Sequence, residues 1–129
     1  MLRTTIETTD DSGKELPIPP DLRAKVERAS QVVATDLAKL GEKFLIEVRW
    51  RFDRDDSGFC VRLDFRTAHN GHSVSVPLEK LKSEDDTRRW LWKPLWALSE
   101  LLSGELDLEL RRIREDLRES AKTPVAAEG

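Results

Sequence analysis

The feature that most constrains the fold is a two-residue alternation of apolar and charged side chains between Lys43 and Val76. This period is typical of half-buried strands, because successive side chains of a strand point to opposite faces of the sheet. Two long runs, joined by a turn-rich link, therefore predict an antiparallel hairpin. The apolar members are Phe44, Ile46, Val48, Trp50 and Phe52 in the first run and Phe59, Val61, Leu63 and Phe65 in the second.

Charge pairing narrows the register of this hairpin. Two registers place opposite charges across the strands, one with Trp50 opposite Phe59 and one with Trp50 opposite Leu63. We expect the first, because it needs the shorter loop.

A third strand is predicted from His72 to Val76. It follows Asn70-Gly71, a dipeptide that favours the two-residue type I′ turn. Such a turn pairs His69 with His72 and continues the apolar face. The centre of the chain is thus predicted to be a three-stranded antiparallel meander.

Helices are predicted on both sides of the meander. Apolar residues recur at spacings of three and four from Leu22 to Leu40, and Gly41 is placed to end that helix. Ser83 followed by three acidic residues predicts the start of another helix, which Pro94 kinks or divides. Ser103-Gly104 predicts an end or a bend, after which a narrow leucine stripe predicts a last, strongly charged helix.

The predicted fold is therefore α+β, with an N-terminal helix, the three-stranded antiparallel meander and two C-terminal helices. Residues 17–119 form the single predicted domain. Residues 1–16 are rich in Thr, Asp and Glu without periodicity, and residues 120–129 are mostly small, so both segments are predicted to be disordered tails.

Composition limits the cellular setting. The formal net charge of −3 argues against a whole-chain electrostatic grip on nucleic acid and leaves room for a local basic face. The single cysteine, Cys60, cannot form an internal disulfide, which favours a reducing compartment. No apolar run is long enough for a membrane span, and the N-terminus lacks the pattern of a secretory signal. We expect a cytoplasmic protein that does not use a membrane.

Catalytic and metal sites find little support in the sequence. His69 and His72 would face one another across the predicted turn, but two ligands do not make a zinc site. Helix, three strands, helix is also the core order of the PD-(D/E)xK nucleases, which need an acid and then an acid-x-Lys. Here Asp53 and Asp64-Phe65-Arg66 have a loosely similar spacing, with arginine in place of lysine. We therefore expect no enzyme, no metal and no cofactor.

The polar face of the predicted sheet is basic. The predicted order of helix, three-stranded meander and helix resembles the topology of double-stranded-RNA-binding domains. Acidic residues at 84–86, however, replace that family's basic entry to the last helix. This resemblance implies that the basic face binds nucleic acid. The alternative is that the arginines only form ion pairs with acidic residues on neighbouring strands. The candidate residues are Lys43, Arg49, Arg51, Arg62 and Arg66.

Three tryptophans in one helix indicate an interaction surface. Trp90 and Trp92 lie about 200° apart on a helix, so they cannot both enter a small core. Either at least one tryptophan is exposed for a partner, or the tryptophans cover the open end of the sheet. Exposed tryptophan is enriched at protein interfaces. We expect a small non-catalytic interaction or adaptor module that binds a protein partner or itself, with nucleic-acid binding as the alternative. The candidate interface residues are Trp90, Trp92, Trp96, Leu106, Leu110, Ile113 and Leu117.

Overall fold

Four strands in one mixed sheet and two helices make up the computed structural model, which describes residues 1–56 and 58–122. The strands lie in the order β1-β2-β3-β4, and a short 3-10 turn, Leu78–Lys80, precedes the second helix. The predicted α+β class is confirmed, whereas the predicted layout of the elements is wrong. The elements are β1 (Leu2–Glu7), α1 (Pro20–Gly41), β2 (Ile46–Asp55), β3 (Gly58–Arg66), β4 (Gly71–Ser75) and α2 (Glu84–Lys122).

The first correction is β1, which lies within the segment that the sequence indicated to be a tail. It pairs in parallel with β2, so β1, α1 and β2 form a crossover unit and the sheet is mixed rather than an antiparallel meander. Leu2, Thr4 and Ile6 are half-buried, while Arg3 and Thr5 are exposed. The alternation is present in the sequence, but its middle inward-facing residue is Thr4, which is polar and was not counted as apolar. Threonine is β-branched and suits a strand.

Gly41 makes room for this strand. A Cβ atom at Gly41 would lie 2.7 Å from the Cβ of Leu2, closer than two carbon atoms can approach without displacement. Gly41 is the last residue of α1, and it lacks the positive φ of a left-handed helix cap. The helix ends at Gly41 as predicted, but the need for glycine at this position is explained by the close approach of β1 and not by a left-handed cap.

The preferred register of the first hairpin is wrong, and so is the register predicted for the second. In the first hairpin Trp50 lies opposite Leu63, which is the alternative register. The strands extend to Asp55 opposite Gly58, so the connection between them is shorter than expected. In the second hairpin Phe65 lies opposite His72, and residues 67–70 form the connection in place of an Asn70-Gly71 turn. The amide N–H of Thr67 donates to the carbonyl oxygen of Asn70 at 2.8 Å.

Helix α2 is one continuous helix where two were predicted. Its start is as predicted, since the Asp86 amide donates to the Ser83 hydroxyl oxygen at 3.1 Å. Pro94 and Gly104 both lie inside it. A glycine in a helix costs only about 1 kcal/mol relative to alanine, which anchoring on either side readily offsets. Residues 120–122 of the predicted C-terminal tail belong to this helix, and residues 123–129 lie outside the described residues.

The core lies between the apolar face of the sheet and the two helices. Trp50, Leu63 and Phe65 are fully buried there, together with Val33 of α1 and Leu98 of α2. On the opposite face of the sheet the side chains are exposed or half-buried. The core therefore uses one face of the sheet and leaves the other polar.

Candidate interaction surface

The second part of α2 extends away from the core. Every residue from 106 to 121 is exposed, whereas the part before it contributes Leu91, Leu98 and Leu102 to the core. Sixteen helical residues span about 24 Å. The chain thus carries a long helical segment whose apolar side chains are all exposed.

A single line of side chains runs along the solvent side of both parts of α2, and we call it the α2 stripe. Its members follow one another at spacings that alternate between four and three without a break, the heptad pattern of helix pairing. At 100° per residue the α2 stripe is centred about 100° from the buried leucines of the same helix. The α2 stripe consists of Trp92, Trp96, Ser99, Ser103, Leu106, Leu110, Ile113 and Leu117, all of them exposed.

The two tryptophans of the α2 stripe pack on each other rather than on the domain. Their ring centroids are 5.8 Å apart and the ring planes differ by 16°. Trp92 is 65% exposed and Trp96 is 58% exposed, and the indole N–H of Trp96 donates to a carboxylate oxygen of Glu100 at 3.0 Å. The stacked pair forms a firm apolar surface at one end of the stripe.

The structure brings six of the seven predicted interface residues onto this stripe. Trp90 is the exception, because it is half-buried and packs against the core. The sequence-based prediction missed Ser99 and Ser103, which connect the tryptophans to the leucines. Their signal was the unbroken spacing of four and three, which was obscured because Ser103-Gly104 predicted an end or a bend of the helix.

Glu105 fixes α2 at the point where the helix leaves the domain. Its carboxylate, although only 7% exposed, accepts hydrogen bonds from the Thr67 hydroxyl at 2.6 Å and from the His69 amide at 2.7 Å. Burial raises the pKa of Glu105, but these hydrogen bonds and the nearby His69 ring outweigh burial, so the pKa lies below its usual value. The charged carboxylate therefore joins α2 to the β3–β4 connection.

The arginines of the polar sheet face are largely paired with carboxylates. Arg49 lies 3.4 Å from Glu7, and Arg51 lies 3.5 Å from Asp64. Cross-strand pairs of this kind contribute roughly 0.2–1 kcal/mol each. Much of the predicted basic face is thus neutralised, and β1, which was not predicted, supplies one of the acidic partners.

Arg62 and Arg66 remain exposed on the same face. The Nε–H of Arg62 donates to the Ser73 hydroxyl oxygen at 3.2 Å, and Arg66 makes no ion pair with any described residue. Lys43 lies in the turn between α1 and β2, where it lines a groove with His69 and Leu106. The structure therefore brings together four of the five predicted nucleic-acid residues and separates Lys43 from them.

The residues considered for catalysis do not converge. Asp64 lies opposite Arg49, four residues along β2 from Asp53, so the two carboxylates are about 13 Å apart along the strand. His69 and His72 do not face one another, since His72 pairs with Phe65. Burial, followed by the nearby Asp55, raises the pKa of the Cys60 thiol. Within residues 1–56 and 58–122, no three His, Cys, Asp or Glu side chains form a possible metal site.

Two broader findings complete the description of this surface. In the part of the chain that the structure describes, no helix is both long and apolar enough to cross a bilayer. Comparison of the chain with protein-family models, with curated proteins and with solved structures found no match.

Proposed function

We propose that this protein is a non-catalytic interaction module that self-associates through the α2 stripe. The observation that carries the proposal is the unbroken heptad pattern of exposed side chains from Trp92 to Leu117. The proposal includes the cytoplasmic location that the lone cysteine favours.

The exposed apolar surface of the stripe is large enough for a stable contact. Its six large apolar side chains are about half to two-thirds exposed. At about 90–170 Å² each, they offer on the order of 700 Å² per chain, near the roughly 800 Å² per partner of a standard interface. Exposed apolar surface of this size along one side of a helix is typical of a protein interaction site.

Helix stability supports the same conclusion. Most helical stability in proteins comes from tertiary packing of an apolar face rather than from helix propensity. Every residue from 106 to 121 is exposed, so little of this part of α2 is packed against the domain. A second protein surface on the α2 stripe would supply the missing packing.

The test is a matched pair of substitutions in the exposed part of α2. Leu110 is 48% exposed and lies on the stripe, whereas Leu108 is 46% exposed and lies about 180° away around the helix. We expect Leu110→Glu to reduce the mass measured by size-exclusion chromatography with light scattering to 14.8 kDa, and Leu108→Glu to leave the assembly intact. Wild-type protein that is monomeric at all concentrations would refute the proposal.

A second candidate function is nucleic-acid binding by the polar sheet face. Exposed Arg62 and Arg66 on a face without a covering helix favour it. Binding through these side chains predicts an affinity for double-stranded RNA that falls steeply with salt. In fluorescence anisotropy, an Arg62→Ala, Arg66→Ala double variant should lose this binding, while the matched double variant Arg111→Ala, Arg114→Ala on α2 should keep it. Equal affinities of the two variants would remove this candidate.

A further inference from the structure

We infer that two copies of this chain pair their α2 helices antiparallel, about a two-fold axis beside Gly104. This inference rests on the proposed self-association and adds its orientation and register. It follows from the sizes of the side chains along the α2 stripe, from the position of the domain on the helix, and from the length of the stripe.

The two halves of the α2 stripe carry different side chains. The first half has the stacked Trp92 and Trp96, followed by the small Ser99 and Ser103. The second half has four branched aliphatic residues. In a parallel pair each residue would meet its own copy, so two successive layers would contain only serines. Two adjacent layers of small side chains would leave a gap between the helices, and a gap destabilises helix packing.

Antiparallel pairing matches large side chains to small ones. Each serine then lies opposite a leucine, and each tryptophan lies opposite an aliphatic residue, so no layer lacks an apolar side chain. Mixed layers of large and small residues fill the space between helices best. The paired layers are Trp92 with Leu117, Trp96 with Ile113, Ser99 with Leu110, and Ser103 with Leu106.

This register also uses the whole stripe. Sliding one helix by a heptad in one direction leaves Trp92 and Trp96 without partners, and sliding it in the other direction leaves Ile113 and Leu117 without partners. The centre of the complete register falls between Gly104 and Glu105. All eight positions on each chain are then covered, which buries the approximately 700 Å² per chain that the exposed side chains offer.

The position of the domain agrees with this arrangement. The first half of the stripe lies on the part of α2 that packs on the core, and the second half lies on the part that projects. In the antiparallel pair each projecting half covers the tryptophan-bearing half of the other copy. Each helix thereby receives the packing that its own domain does not provide.

The orientation is tested by the distance between spin labels. In a Cys60→Ser background, a label at Arg118→Cys sits outside the stripe, about 13 or 14 residues from the centre of the pair. At about 1.5 Å per residue, the two labels of an antiparallel dimer lie about 40 Å apart along the helices, whereas those of a parallel dimer lie within about 25 Å. A second label, at Asp107→Cys, lies near the centre and gives a short distance in either dimer.

Double electron–electron resonance should give about 40 Å at position 118 and less than about 25 Å at position 107. Adding Leu110→Glu should abolish both dipolar signals, and adding Leu108→Glu should preserve them. A dimer with any other distance at position 118 overturns the antiparallel register and leaves self-association standing. A monomeric mass with no dipolar signal overturns both the register and the proposed function.

Discussion

The two parts of α2 differ in which of their side chains the domain buries. Residues 84–105 present two lines of side chains, a buried one that includes Leu91, Leu98 and Leu102 and an exposed one that begins at Trp92. Residues 106–121 continue only the exposed line. The first part is therefore held by its own domain, whereas the second projects from it with every side chain exposed, and we propose that association supplies its packing.

The largest expected effect is a difference between the two parts of α2 in how much an alanine substitution lowers the free energy of unfolding. Leu98→Ala removes a fully buried side chain and should lower the free energy of unfolding by about 2–5 kcal/mol. Ile113→Ala, in the exposed part, should change the unfolding of the monomer by less than about 0.5 kcal/mol while weakening association. Urea denaturation at a protein concentration low enough to keep the chain monomeric measures the free energy of unfolding of both variants. Equal losses would mean that the projecting part has packing within its own chain.

The junction between the two parts should show the next largest effect. Glu105→Gln removes the charge from a buried, hydrogen-bonded carboxylate and should cost about 1–3 kcal/mol at neutral pH. Urea denaturation at neutral pH checks this loss.

The same junction should make stability depend on pH. Because the folded pKa of Glu105 lies below its unfolded value, its contribution is present above the unfolded pKa of about 4.3 and is lost as pH falls through the folded pKa. Denaturation from neutral to acidic pH should therefore show a shallower loss for Glu105→Gln than for wild type. Parallel pH profiles would show that this carboxylate does not anchor α2.

A glycine that is packed against another element and one that is not provide a further comparison. Gly41→Ala should destabilise the fold by about 1–3 kcal/mol, because the added methyl group meets Leu2. Gly104→Ala meets no atom within 4 Å and lies in a helix, so it should stabilise the protein by about 0.5–1 kcal/mol. Thermal unfolding of the two variants should move in opposite directions. A stabilising Gly41→Ala would contradict the packing of β1 on the end of α1.

Local patterns predicted several elements and failed where distant contacts decide. The long alternations of β2 and β3 and the Ser83 start of α2 were readable, because each depends on neighbouring residues. The Asn70-Gly71 turn was misplaced because the connection is held by Glu105, 36 residues beyond His69. β1 was missed because its half-buried threonine resembles a tail residue and its partner strand lies beyond a whole helix.

The candidate surface was predicted in two pieces that the structure joins. Trp92 and Trp96 and the leucines after residue 105 were recognised from residue type and spacing. Their continuity depends on α2 passing through Ser103-Gly104, where propensity alone favoured an end or a bend. Burial of Leu102 and Glu105 on either side holds the helix together at that point.

The most direct test of the central claim is hydrogen exchange of α2 as protein concentration is varied across the range in which light scattering detects dissociation. Amides of residues 106–121 should become protected as the chains associate, while those of residues 88–102 should be protected at every concentration. The Leu110→Glu variant should keep the second pattern and lose the first. Protection of residues 106–121 that is equally strong in the monomer would contradict the account.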